Sequence, residues 1–378
     1  MRGKVIIFLS SSSFFLSYFS RVMWSIVAPF SSLKTTVTED STIFALFFLG
    51  YIIVQMPAGF LSDYIGVKFL LFSSLIGISF TSFISVYFPS IVVEYLTSFF
   101  MGFSAGWIYP ITVKLISVTF SGKSLPIAMS IYSLAWPSSI IASGLIIPFL
   151  AIRFNWRSPF YLVSLISLFL AFLSLIYIPS IRVSGQKIFN IKSVISNKNS
   201  IFIAMGGFLF FLSYWILVLY LYKYLLNLVH DAYLAGLVYS FTALSGLFST
   251  LLAGYIINFI GVKKTFLFFV SLYALSIISI SFTSSIIIIS ISALLIGFFR
   301  FIITPAHSTA LAIIGREKSG SLTGFSNFFW QSSGIFGSIL APILINLFSY
   351  TYLWLFVGIL PLISLVFYLN IEFYNSYK

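Results

Sequence analysis

Long apolar runs separated by short polar segments alternate along the whole chain. Each run reaches roughly the 20 residues that an α-helix needs to cross the hydrocarbon core of a bilayer. The first run follows Arg2 and Lys4 but has no convincing small-residue cleavage site, so we interpret it as a retained span. The pattern predicts twelve transmembrane helices, at 5–30, 42–61, 68–88, 90–113, 125–150, 158–178, 200–226, 233–256, 264–283, 285–307, 321–347 and 352–371.

The composition supports a multi-pass protein of the cell membrane, with the lipid bilayer as its surroundings. Hydrophobic residues make up 60% of the 378 residues and charged residues 7%, whereas soluble domains are about 25% charged. The chain has no cysteine, which excludes disulfides, thiolate metal sites and a cysteine nucleophile. Seven acids and two histidines leave little for a membrane enzyme such as an acyl or glycosyl transferase. We therefore expect no enzyme, no metal and no cofactor.

The net charge of +13 would suggest a nucleic-acid partner in a soluble protein. Here the positions of the charges indicate topology instead. If the N-terminus is cytoplasmic, fourteen basic residues lie in inner loops and tails and four lie outside. By the positive-inside rule we expect both termini inside and no nucleic-acid binding. The inner residues are Arg2, Lys4, Lys68, Lys114, Lys123, Arg182, Lys187, Lys192, Lys198, Lys263, Lys264, Arg316, Lys318 and Lys378, and the outer ones are Lys34, Arg153, Arg157 and Lys223.

The longest polar stretch lies near the middle of the chain. It predicts a cytoplasmic linker at 179–199 between an N-terminal six-helix bundle at 1–178 and a C-terminal six-helix bundle at 200–378. Apolar residues recur at helical spacing within the linker, which favours a short helix on the inner membrane surface. These residues are Ile188, Ile191, Val194 and Ile195.

The two halves carry an internal repeat. Segment 58–68 returns 195 residues later at 253–263, with its Ala-Gly and Gly-Val-Lys elements at identical spacing. Because six predicted spans separate equivalent positions, the halves share one topology about an axis along the membrane normal, and a central cavity is expected between them. At or within one residue of this offset, Phe14–Tyr18 matches Phe210–Tyr214, Gly102 matches Gly297, Pro110 matches Pro305, Trp136 matches Trp330 and Pro148 matches Pro342.

The loop after the second predicted span reads Gly59-Phe-Leu-Ser-Asp63-Tyr-Ile-Gly66-Val-Lys68. This loop resembles the signature of the major facilitator superfamily, although Tyr64 stands where the family usually has a basic residue. The resemblance implies an all-α membrane protein with twelve transmembrane helices in two pseudo-symmetric bundles. It also implies a gating loop, which we define as Gly59, Asp63, Gly66 and Lys68 with the repeat positions Gly254, Asn258, Gly261 and Lys263.

Further segments carry the same resemblance. Gly102-Phe-Ser-Ala-Gly106 with Pro110 looks like the family's fourth span, and Trp156-Arg157 looks like its outer turn between the fifth and sixth spans. Ser98 stands near the position where many proton-coupled members have an arginine. In the family the first, fourth, seventh and tenth helices line the cavity.

Ionisable residues inside the predicted spans are candidate binding residues because their burial is costly. Arg21 and Arg300 lie in the first and tenth predicted spans. Glu94, in the fourth, is the only acidic residue within the predicted spans. A guanidinium binds a carboxylate or phosphate through two hydrogen bonds, so an excess of arginine favours an anionic substrate. Glu94 is expected to pair with Arg21 or to accept a proton. Structural arginines remain the alternative.

Other candidates come from the repeat and from titratable side chains. We expect substrate contacts from the repeat-equivalent pairs Tyr18 and Tyr214 and Trp136 and Trp330, and from Gln331 beside the latter. His307, near the inner end of the tenth span, is a second candidate for proton coupling.

These observations predict a monomeric secondary transporter that works by alternating access. The preferred substrate is a small organic anion, and proton coupling as a symporter is a hypothesis. The alternatives are a carrier of peptides, sugars or drugs and a membrane receptor without transport. A Walker-type Gly-x-x-x-x-Gly-Lys-Ser/Thr motif is missing from the sequence, so ATP is not expected as an energy source.

Overall fold

A computed structural model describes residues 2–121, 124–179, 196–315 and 319–372. Within these ranges the chain forms fourteen α-helices and a 3-10 turn at Ala28–Phe30. The helices are α1 Arg2–Val27, α2 Val37–Tyr64, α3 Val67–Tyr87, α4 Ile91–Gly106, α5 Ile108–Thr119, α6 Ser124–Ser133, α7 Ala135–Arg153, α8 Ser158–Tyr177, α9 Lys198–Val229, α10 Ala232–Ile260, α11 Val262–Ile280, α12 Ile286–Gly315, α13 Ser319–Leu347 and α14 Tyr350–Leu369.

The described residues contain twelve helical segments that are long and apolar enough to cross a membrane, which confirms the predicted number. The fourth and fifth spans each consist of two helices, α4 with α5 and α6 with α7. Several helices extend past the predicted ends; α2 begins at Val37 instead of 42 and α12 continues to Gly315 instead of 307. At the start of α2 the added residues 37–41 are mostly polar, and hydropathy marks only the apolar part of a helix.

Backbone contacts divide the chain into two compact units, Met1–Lys187 and Ile188–Lys378. The first unit contains α1 to α8 and the second contains α9 to α14. Most of the predicted linker, including the expected surface helix at Ile188, Ile191, Val194 and Ile195, lies outside the described residues.

Local sequence signals explain where several helices begin. At the start of α2, the Thr36 hydroxyl accepts from the Glu39 backbone N–H at 3.2 Å, and the Glu39 carboxylate accepts from the Thr36 N–H at 2.8 Å. Asp231 caps α10 by accepting from two backbone N–H groups of its first turn. Gly66 and Gly261, which precede α3 and α11, have φ angles of 93° and 80°, a region that glycine adopts without strain. The repeat therefore preserves this turn.

The repeat also preserves a close helix crossing in each unit. A Cβ atom on Gly102 would clash with the carbonyl oxygen of Phe47, and one on Gly297 would lie 2.6 Å from that of Thr242. Phe47 and Thr242 are themselves related by the 195-residue offset. Small residues let the second and fourth spans of each half approach at the backbone.

The fourth span breaks at Trp107 in the first unit. Pro110 has no N–H to offer the carbonyl four residues earlier, that of Gly106. The Gln55 side-chain amide donates to this carbonyl at 2.8 Å, and the Ser17 hydroxyl donates to the neighbouring Ala105 carbonyl at 3.2 Å. Both carbonyls at the break are therefore satisfied. The equivalent helix α12 runs through Pro305 without a break.

Candidate functional site

Arg21 lies on α1 inside the first unit, with 2% of its surface exposed. Its guanidinium carbon lies 4.1 Å from the ring centroid of Tyr51 and 4.6 Å from that of Tyr18. The rings of Phe47 and Phe48 follow at 5.8 Å and 5.5 Å. A desolvated guanidinium over aromatic faces gains about 2 kcal/mol or more from the ring quadrupole. Aromatic side chains therefore form much of the surroundings of this charge.

Arg300 lies on α12 inside the second unit and is fully buried. Its guanidinium carbon lies 4.2 Å from the ring centroid of Tyr214 and 5.0 Å from that of Phe211. The Nη1 atom donates a hydrogen bond to the Thr304 hydroxyl, one helical turn away. The second unit thus also holds a buried arginine against aromatic rings.

The two arginine environments are similar although the arginines are not repeat-equivalent. Tyr18 and Tyr214 correspond at an offset of 196, and each lies under a guanidinium. At the same offset Arg21 corresponds to Leu217. The charge comes from α1 in one unit and from α12 in the other, so the sequence repeat alone could not predict the likeness.

Glu94 lies in the first turn of α4 with 2% of its surface exposed. Both carboxylate oxygens accept from the Ser85 hydroxyl at 2.7 Å. Glu94 and Arg21 line one cavity of about 20 Å³, which is about the space of a single water molecule. Direct pairing of the two residues stays a prediction. The other lining residues are Ser20, Met23, Trp24, Ile43, Phe44, Phe47, Thr97, Ser98, Met101 and Phe160.

Asp40 is a second buried acid in the first unit, 3% exposed, and it lies outside the predicted spans. Its carboxylate accepts from the Trp24 indole N–H at 2.8 Å and from the Thr35 hydroxyl at 2.6 Å. The predicted span began at 42 and so left Asp40 in the loop. The Thr36-x-x-Glu39 capping box was the sequence signal that places the start of the helix before Asp40.

The tryptophan candidates take different places in the two units. Trp136 packs against Tyr18 with ring centroids 4.9 Å apart, and it is half-buried. Trp330 is 5% exposed and stacks on Phe211 at 5.2 Å, while its indole N–H donates to the Ile203 carbonyl at 3.4 Å. Gln331 beside it is half-buried. Trp330 is therefore held by packing and a backbone bond.

His307 is 1% exposed within the second unit. Its Nε2 atom and the Tyr368 hydroxyl lie 2.7 Å apart in a hydrogen bond. Aromatic rings contact the imidazole, with centroid distances of 4.8 Å to Trp330 and 4.9 Å to Phe266. These contacts describe a packed histidine, and its predicted role with protons stays a prediction.

The gating-loop residues are described only in part. Gly59 and Asp63 lie in the last turns of α2, and the Asp63 side chain lies outside the described residues. Lys263 donates to the carbonyl of Ile371 at 3.3 Å, and Ile371 follows the end of α14 at Leu369. Lys68 is half-buried, Asn258 is exposed, and a Cβ atom on Gly254 would meet no atom within 4 Å.

These features define a class of protein, a helical membrane protein of two units with a buried arginine in each unit. The family model described as Major Facilitator Superfamily matches residues 10–335 and 203–375. The chain belongs to this superfamily, and the resemblance noted in the sequence is confirmed. The chain is therefore a multi-pass protein of the cell membrane that transports small solutes, and it is not an enzyme.

Curated relatives are also transporters. The hexuronate transporter of Bacillus subtilis (strain 168) is 24% identical over 373 residues, covering 88% of this chain and 85% of that protein. The uncharacterized transporter YybO of the same organism is 27% identical over 161 residues, but the match covers 42% of this chain and only 37% of that protein. The probable nitrate transporter NarT of Staphylococcus carnosus (strain TM300) is 27% identical over 142 residues, covering 36% of each.

Solved structures show the same fold at low identity. The nucleoside transporter NupG has a TM-score of 0.81 at 12% identity and covers 100% of this chain and 100% of that chain. A bacterial homolog of the human lysosomal transporter Spinster, in an inward-facing and unoccupied conformation, has a TM-score of 0.79 at 13% identity, covering 97% and 96%. These likenesses establish the fold.

Proposed function

We propose that the chain is a secondary transporter of a small organic anion, which works by alternating access with Arg21 and Arg300 as anion anchors. The observation that carries the proposal is the burial of one arginine in each unit against an equivalent tyrosine, Tyr18 or Tyr214. A charge in a membrane span is costly and is retained where function uses it.

The chemistry of arginine supports an anionic cargo. A guanidinium donates two parallel hydrogen bonds to a carboxylate, which supplies both binding energy and orientation. Two of the matching relatives are described as transporters of hexuronate and nitrate, and both compounds are anions. We favour a hexuronate-like carboxylate because that relative matches over most of both chains.

A thermal-shift titration of the purified protein tests this proposal. A ligand that binds only the folded state raises the melting temperature by mass action. We expect glucuronate or galacturonate to stabilise the wild type and to lose this effect in Arg21→Gln and Arg300→Gln. Arg153→Gln is the matched control because Arg153 is exposed at the end of α7. Equal stabilisation of the wild type and both buried-arginine variants would contradict the proposal.

A carrier of neutral solutes with structural arginines is the second candidate. A structural role for the arginines would use the same contacts. Arg300 donates a hydrogen bond to Thr304, and aromatic rings surround both arginines. This function predicts that a nucleoside or neutral sugar stabilises the wild type and both arginine variants alike, while hexuronates do not.

We also propose that Glu94 couples transport to protons. Support comes from its burial and from the small cavity that it shares with Arg21, through which one water could connect the two side chains. His307 is the weaker candidate because Tyr368 and surrounding aromatic rings hold it. Uptake that is independent of pH in both the wild type and Glu94→Gln would exclude coupling through this acid.

We infer in addition that the gating-loop residues control the rate of transport, and that both termini are cytoplasmic. The glycine-dependent turns at Gly66 and Gly261 support the first inference, and the distribution of basic residues supports the second. Gly66→Ala should slow transport without changing substrate affinity. Unchanged transport rates in Gly66→Ala and Gly261→Ala would contradict a gating role.

A further inference from the structure

We propose that Tyr51 is a positioning residue of the anion site, because its ring fixes the orientation of the Arg21 guanidinium. The inference rests on the proposed function and names a residue that the sequence did not single out. The Tyr51 ring centroid lies 4.1 Å from the guanidinium carbon, nearer than that of Tyr18. Tyr51 is 3% exposed and lies on α2, whereas Tyr18 and Arg21 lie on α1.

The two rings can set the orientation of the guanidinium plane. A guanidinium binds both oxygens of a carboxylate through its edge, while its face stacks on aromatic rings. Rings from two different helices, α1 and α2, approach this one group. Their contacts restrict the side-chain torsions of Arg21 before the anion arrives, so less conformational entropy is lost on binding.

In the second unit an aromatic ring also lies near the buried arginine, but a different helix supplies it. The repeat equivalent of Tyr51 is Gly246, at an offset of 195. A Cβ atom on Gly246 would clash with the ring of Phe301, so the Phe301 side chain occupies the space beside this glycine. The Phe301 ring centroid lies 5.6 Å from the Arg300 guanidinium carbon. A ring near each arginine is thus present in both units, although α2 supplies it in one and α12 in the other.

The alternative is that Tyr51 binds substrate through its hydroxyl group. The two roles differ in what a phenylalanine would do. Phenylalanine keeps the aromatic face and removes the hydroxyl, so it preserves positioning and abolishes a hydrogen bond to substrate. Leucine removes the aromatic face and leaves a buried apolar side chain.

The experiment measures the dissociation constant of glucuronate for the purified full chain. We expect Tyr51→Phe to bind within about twofold of the wild type and Tyr51→Leu to bind about tenfold more weakly, because an Arg21 side chain without this ring must be ordered when the anion binds. In an Arg21→Lys background, whose ammonium is a point charge without a plane to orient, Tyr51→Leu should cost no more than about twofold. Tyr239→Leu is the control, because Tyr239 is equally buried but lies in the second unit, where its hydroxyl donates to the Val218 carbonyl.

Three results would overturn the inference alone: wild-type affinity in Tyr51→Leu, equal losses in Tyr51→Phe and Tyr51→Leu, or an undiminished loss in the Arg21→Lys background. Should Tyr51→Leu fail to fold, Tyr51→Met replaces it with a flexible apolar side chain and the same expectations. A wild type that binds neither glucuronate nor galacturonate would instead overturn the proposed function together with this inference.

Discussion

The guanidinium carbon of Arg300 lies 4.2 Å from the ring centroid of Tyr214. Tyr18, the repeat equivalent of Tyr214, lies 4.6 Å from the guanidinium carbon of Arg21. The duplicated sequence therefore keeps the tyrosine in place, and the charge reaches it from a different helix in each half. This recurrence of a buried arginine against an equivalent tyrosine is the observation on which the proposed anion site rests.

Replacing Arg300 by lysine keeps the charge but removes the planar group that stacks on Tyr214. We expect Arg300→Lys to bind a carboxylate about tenfold more weakly, because a lysine ammonium neither stacks nor donates two parallel bonds. Isothermal titration with glucuronate checks this expectation. Tyr214→Phe, which keeps the ring, should stay within about twofold of the wild type, and an Arg300→Lys variant of unchanged affinity would show that the charge alone suffices.

The side chain of Gln55 stabilises the broken fourth span. Gln55→Leu leaves the Gly106 carbonyl without the donor that replaces the missing N–H of Pro110. We expect a loss of about 1–3 kcal/mol in the free energy of unfolding, the usual cost of an unsatisfied buried polar group. Thermal or denaturant unfolding in detergent provides the measurement.

A second substitution tests the reason for that loss. Pro110→Ala restores an N–H that can bond the Gly106 carbonyl within a continuous helix. The double variant Gln55→Leu/Pro110→Ala should therefore be more stable than Gln55→Leu alone. If Pro110→Ala gives no recovery, the Gln55 bond does not compensate for the proline.

Two glycines in helices should respond oppositely to alanine. A Cβ atom on Gly102 would clash with the Phe47 carbonyl oxygen, whereas one on Gly254 would meet nothing within 4 Å. Alanine is favoured over glycine in helices by about 1 kcal/mol. Gly102→Ala should therefore lower the melting temperature clearly, and Gly254→Ala should leave it unchanged or raise it. Similar melting temperatures in the two variants would contradict the close crossing of α2 and α4.

Neutralising Glu94 should remove the response of transport to a proton gradient. We expect acidification of one side of the membrane to drive solute accumulation in wild-type proteoliposomes, and Glu94→Gln to exchange solute without accumulating it. Glu39→Gln is the control, because glutamine also completes the capping box at the start of α2. Proton-driven accumulation by Glu94→Gln would contradict the proposed coupling.

The sequence predicted the number of spans because apolar runs of membrane-crossing length are a strong signal. The repeat likewise located the turns at Gly66 and Gly261, where the backbone requires glycine. Asp40 was missed because hydropathy marks the apolar part of a helix and α2 begins earlier. The contacts of Tyr51 and Gln55 could not be predicted, since they depend on which faces of separate helices meet in space.

Transport by the purified protein in liposomes tests whether the two buried arginines bind an anionic substrate. The measurement is uptake of radiolabelled glucuronate by the wild type, Arg21→Gln, Arg300→Gln and the exposed control Arg153→Gln, with a labelled nucleoside as the neutral comparison. We expect glucuronate uptake by the wild type and Arg153→Gln and at least a tenfold loss in both buried-arginine variants. Nucleoside uptake without glucuronate uptake, unaffected by either buried arginine, would contradict it.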